Sequence, residues 1–117
     1  VNPVMTVDDV VAAQKTVAGV RVDPSVLDYV IRIARETRDS SGIRMGAGPR
    51  GSISIVRAAR ASAVLEGRDF VTPDDVRNVA VDALRHRIAL APELEIESYR
   101  PDDILKDILG NVAAPRQ

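Results

Sequence analysis

The chain has 117 residues, 45% of them hydrophobic and 28% charged, with 16 basic side chains against 17 acidic ones for a net charge of −1. This is the size and make-up of one ordinary globular domain, which excludes two full domains, a disordered tail and a membrane-spanning segment. The lack of cysteine excludes disulfides and thiolate chemistry, the single histidine, His86, cannot build a multi-histidine metal site, and the balanced charge gives no long-range field for nucleic acid or an anionic membrane.

The opening Val1-Asn2-Pro3-Val4-Met5 has neither the basic start nor the apolar stretch of a signal peptide, and suggests a fragment cut from a longer protein. Thr6-Val7-Asp8-Asp9 reads as a capping box, predicting a helix to about Ala18 with Val7, Val10, Val11 and Val17 inward and Gly19 as the stop. Asp23-Pro24 starts a second helix to Arg38, with Leu27, Val30, Ile31 and Ala34 buried and Asp28, Arg32, Arg35 and Glu36 in solvent.

From Asp39 to Gly48 the periodicity fails, and Ser40, Ser41, Gly42, Gly46 and Gly48 predict an exposed loop. Pro49 opens a third helix to Glu66, apolar on more than one face and therefore central, with Arg57 and Arg60 on its polar edge. Gly67 ends it, Asp69-Phe70-Val71 is a short extended link, and Thr72-Pro73-Asp74-Asp75 is a second capping box for a helix to about His86 that buries Val76, Val79, Ala80, Ala83 and Leu84.

Residues 88–98, with Pro92 and the alternation Leu94-Glu95-Ile96-Glu97, fit a strand-like or irregular crossing. Pro101 opens a last amphipathic helix carrying Ile104, Leu105, Ile108 and Leu109, ended by Gly110-Asn111, and Ala113 to Gln117 is expected to fray. The fold class is all-α: residues 1–117 form one small bundle of about five helices.

Gly46-Ala47-Gly48-Pro49-Arg50-Gly51 spells G-x-G-x-x-G, but the dinucleotide fingerprint needs a strand inside a βαβ unit and here a helix precedes. It also lacks the lysine of a phosphate-binding G-x-x-x-x-G-K-[ST] loop, so the chain cannot hold a triphosphate alone. Arg50 is nevertheless unusual. A cation in the first turn of a helix is unfavourable by roughly 0.3–1 kcal/mol, and an anion docked on the free N–H groups there would turn it into a clamp. The alternative is a solvated Arg50, or one paired with a carboxylate such as Asp39.

The other charged groups have blander readings. Asp8-Asp9, Asp74-Asp75 and Asp102-Asp103 sit in first helical turns, where acids cap and complement the dipole. Arg85, His86 and Arg87 suit a helix C-terminus, with a subunit-interface role as the alternative, and Arg44 reads as a solvated loop residue. Tyr29 and Phe70 are read as core anchors rather than stacking platforms.

Gly46-Ala47-Gly48-Pro49-Arg50-Gly51-Ser52 resembles the G-A-S-P-R-A sensor-2 motif of MoxR-type AAA+ ATPases, with Gly48 in place of the usual serine and Gly51 in place of the usual alanine. Both exchanges are expected to loosen the loop. The resemblance extends through Tyr29 to Arg38, Arg57-Ala58-Ala59-Arg60, Gly67 to Val76 and Leu84-Arg85-His86-Arg87-Ile88. It implies the C-terminal helical lid of such an enzyme, packing over nucleotide on a core domain of the same chain, with Arg50 as the catalytic and cofactor-binding residue that reaches the γ-phosphate. It further implies ATP and Mg²⁺ as cofactors of the intact protein, a homo-hexameric ring, cytoplasmic location, chaperone-like remodelling and partners with von Willebrand factor A domains. No metal site, nucleic acid or membrane insertion is expected. The lid of a related clade such as the magnesium-chelatase ATPase subunit is an alternative. Another is a free-standing helical interaction or DNA-binding module with a basic face of Arg32, Arg35, Arg57 and Arg60.

Overall fold

The computed structural model describes residues 3–115, so Val1, Asn2, Arg116 and Gln117, on which parts of the expected leaderless start and frayed end fall, lie outside the described residues. Six helices and one short β-ribbon follow in the order α1 (Val7–Ala18), α2 (Pro24–Asp39), β1 (Ile43–Met45), α3 (Pro49–Leu65), α4 (Pro73–Leu84), β2 (Ala89–Leu90), α5 (Pro92–Ile96) and α6 (Pro101–Asn111). The helix beyond the five expected is α5, a five-residue turn opened by Pro92 inside the segment read as strand-like or irregular.

Local chemistry explains most boundaries. Thr6 and Asp9 exchange hydrogen bonds of 2.9 and 3.1 Å at the start of α1, and Thr72 and Asp75 do the same at α4. Asp23 accepts the Ser25 N–H at the start of α2. Helix α3 ends at a positive-φ glycine, Gly67 (φ 76°), where the Arg68 N–H reaches back to the Ala63 carbonyl at 2.9 Å and satisfies one of the carbonyls a helix end leaves free.

Helix α3 is central, as its multi-sided apolar pattern predicts: Ile55, Ala59 and Ala63 have no exposed surface. Its small residues let it approach α4, which contributes Val76, Ala80 and Leu84, while α2 adds Tyr29, Val30 and Ile33. A second cluster of Ile43, Leu90, Ile104 and Ile108 fastens the ribbon to α6.

Three expectations about facing fail, and one about the chain end. On α2 the buried side is Val26, Tyr29, Val30, Ile33, Ala34 and Thr37, whereas Leu27 and Ile31 lie in solvent. Apolar residues wrap more than half of that helix, so periodicity alone does not choose the inward side. Helix α1 buries no residue fully: Val7, Val10 and Val11 are exposed, and only Ala13 and Val17 are half-buried, because α1 packs on one neighbour, α3. Phe70 is 44% exposed rather than a core anchor, since it alternates with buried Val71 along an extended link bridged to Arg21, and Arg68 lies 5.8 Å from its ring centre. Ala113 is tied down by a 2.7 Å bond from Arg32, so the end of the described chain is held where fraying was expected.

The loop at 39–48 is also more ordered than expected. Ile43 and Met45 pair antiparallel with Leu90 and Ala89, and Ala47 is fully buried. A strand therefore does precede the glycine string. It belongs to an antiparallel ribbon and not to a parallel crossover, so the dinucleotide reading still fails.

Candidate functional site at the start of α3

Arg50 lies in the first turn of α3, where Gly48 occupies the capping position and makes no side-chain bond; Pro49 has no N–H, that of Gly51 donates to the Gly48 carbonyl at 2.9 Å, and that of Arg50 is left free. The side chain is exposed, and among the described residues it forms no ion pair, with Asp39 or any other acid. A cation is thus held, without compensation, at the positive end of a helix.

Two other arginines approach the same turn. Arg38, at the end of α2, donates to the Ala47 carbonyl at 3.2 Å, and a Cβ built on Gly51 would lie 3.6 Å from Arg87 Cδ. Arg44 is exposed on β1. None of these three forms an ion pair among the described residues. The chemistry this surface suits is the binding of a multiply charged anion.

The two unusual glycines differ. Nothing lies within 4 Å of a Cβ at Gly48, whereas one at Gly51 would meet Ala47 Cβ and Leu84 Cδ2 at 3.0 Å. Only Gly48 loosens the site. Gly51 lets α3 close on α4, a packing role that glycine's low helix propensity does not disclose.

Arg85 and Asp102 have roles beyond helix ends. Arg85 Nε and Nη2 bond the two Asp102 oxygens at 2.8 Å each, joining the end of α4 to the start of α6, and Asp82 adds a third contact at 3.0 Å. His86 and Arg87 are exposed. Arg32 is engaged by Asp28, by the Ala113 carbonyl and by the face of Tyr29, which removes it from any free basic face shared with Arg57 and Arg60.

Comparison with known proteins matches residues 35–108, from the second half of α2 into α6, to the AAA lid domain. The chain is 33% identical over 122 residues to Chaperone MoxR1 of Mycobacterium tuberculosis, covering 97% of this chain and 32% of that protein. This chain belongs to the AAA lid family and is of the MoxR type. The lid is also 37% identical to protein YeaC of Bacillus subtilis, over 99% of its own length and 36% of that protein's. It is 39% identical to the magnesium-chelatase 38 kDa subunit of Chlorobaculum parvum, over 87% of the lid and 28% of the subunit. A crystal structure from Cytophaga hutchinsonii, of a protein described as a candidate ATPase, superposes with a TM-score of 0.86 at 31% identity, covering 93% of the lid and 36% of that chain. The lid spans about a third of the length of the curated relatives it matches. Among the described residues no helix is long and apolar enough to cross a membrane.

Proposed function

We propose that this lid closes over ATP bound by a nucleotide-binding core of the same protein, and that Arg50 is its sensor-2 arginine, reaching the γ-phosphate. The observation that carries this reading is the uncompensated cation at an uncapped helix start. A phosphate oxygen would accept from the guanidinium and from the unbonded Arg50 N–H, since Pro49 has no N–H and that of Gly51 is held by the Gly48 carbonyl, and an unfavourable placement would become a favourable one.

ATP and Mg²⁺ belong to the core in this reading, and the lid supplies Arg50. Its fixed positive charge stabilises charge that develops during phosphoryl transfer and couples the presence of the γ-phosphate to lid position. The parent is then a cytoplasmic ATPase, assembled as a homo-hexameric ring and acting as a chaperone-like remodeller beside proteins with von Willebrand factor A domains. The relative named as a chaperone supports that class.

The test is Arg50→Ala in the full-length ATPase, with ATP turnover and nucleotide affinity measured. Removing one donor to a transition-state charge typically costs about 10²-fold in kcat. Unchanged turnover would show Arg50 to be structural. The isolated lid should hydrolyse no ATP.

A further inference from the structure

The start of α3 differs from those of α1, α2 and α4, which are fixed by their own caps Thr6, Asp23 and Thr72. Gly48 provides none, so the direction in which α3 leaves the loop is set from elsewhere. The source is the end of α2. Thr37, with no exposed surface, donates to the Ala34 carbonyl at 2.6 Å and accepts the Ala47 N–H at 3.0 Å. Arg38 donates to the Ala47 carbonyl. Both backbone groups of Ala47 are therefore gripped by consecutive residues of one helix.

Gly46 completes the grip sterically, since a Cβ there would lie 2.7 Å from Arg38 Cα, N and Cγ. Between Ala47 and Arg50 stand only Gly48 and Pro49, and proline fixes its own φ. Gly48 is then the one freely rotating residue between Ala47 and Arg50, so the position of Ala47 limits where the first turn of α3 can begin.

We propose that Thr37 and Arg38 are positioning residues for Arg50, holding the sensor-2 turn in place by clamping Ala47 to α2. The inference rests on the reading of Arg50 as a nucleotide contact. It adds that α2 carries the alignment, and that the buried Thr37 hydroxyl serves this junction.

The experiment is a double-mutant cycle in the full-length ATPase with Mg²⁺ and ATP. Thr37→Val keeps the shape and removes the hydroxyl. It should lower kcat about tenfold, as misplacement of a catalytic group does, with a much smaller change in KM. Thr37→Ser, which keeps the hydroxyl, should restore most of the rate. In the Arg50→Ala background Thr37→Val should cost nothing further, because its effect runs through Arg50. Arg38→Met releases the other side of Ala47 from an exposed position, and gives the same comparison should the valine variant fold poorly.

Additive losses in the double variant, or full rates for both Thr37→Val and Arg38→Met while Arg50→Ala is slow, would overturn the clamp alone. An Arg50→Ala enzyme of normal rate would instead overturn the nucleotide reading beneath it.

Discussion

Arg68 closes on the buried carboxylate of Asp75 through two hydrogen bonds of 2.7 Å, one from each terminal nitrogen. The same carboxylate accepts the Thr72 N–H at 2.8 Å, so one side chain both caps α4 and anchors the turn leaving α3. Removing the threonine side of this box, Thr72→Ala, should cost about 1 kcal/mol, the usual value of an N-cap. Asp75→Asn should cost more, because it leaves the Arg68 charge without its bidentate partner and weakens the cap as well. Urea unfolding of the two variants beside the wild type measures the order. A smaller loss for Asp75→Asn would show that the pair with Arg68 contributes nothing beyond the cap.

The same pair sets an acid response. Hydrogen bonds from Arg68 hold the Asp75 carboxyl below its ordinary value against the opposing effect of burial, with Thr72 in support. Asp102 is lowered chiefly by Arg85, and Asp23 by Ser25. A carboxyl depressed in the folded chain stabilises it fully above the unfolded value, here 3.8, and loses that contribution as pH falls toward the folded value. The lid should therefore hold its stability from neutral pH to about pH 4 as far as these groups are concerned, and lose it below. The gap between wild type and Asp75→Asn should narrow over the same range. A gap that stays constant down to pH 3 would exclude Asp75 as a source of acid sensitivity.

Gly46 and Gly48 stand two residues apart and should respond oppositely to a side chain. Gly48→Ser meets open space and can supply the cap that α3 lacks, for a gain of a few tenths of a kcal/mol. Gly46→Ala drives a Cβ into the backbone of Arg38 and should cost about 1–3 kcal/mol, the range for overpacking. Thermal unfolding of both variants separates them, and a stabilised Gly46→Ala would mean that the grip of α2 on the loop is slack.

What could be read from the sequence divides along physical lines. Caps and stops act within four residues, so Thr6, Asp23, Thr72 and Gly67 announce α1, α2, α4 and the end of α3 directly. The side of α2 that faces inward does not announce itself, because Leu27 and Ile31 are as apolar as Val26 and Ile33 and only the position of α3 and α4 distinguishes them. The ribbon of Ile43 with Leu90 spans 47 positions and leaves no local pattern in so short a strand. At the site, the misplaced charge of Arg50 was legible from the helix start alone. Thr37 was not, since a threonine near a helix end has many uses until Ala47 is brought to it. Its one signal is a hydroxyl in line with the buried Ile33 and Val30, at i−4 and i−7.

Arg50 itself should show a conflict between stability and activity. Among the described residues the side chain has no acidic partner, and it opposes the helix dipole, so Arg50→Glu should raise the stability of the isolated lid by roughly 0.5 kcal/mol, an acid being favoured where the cation is not. In the full-length ATPase the same exchange sets a carboxylate against phosphate and should abolish turnover. Chemical denaturation of the isolated lid and ATPase assays of the intact enzyme read the two effects separately. The gain in stability should shrink as salt rises, since both the dipole and the charge on this exposed turn are screened. If Arg50→Glu instead destabilised the isolated lid, the arginine would have a favourable structural role there, and the uncompensated charge on which the nucleotide reading stands would be gone.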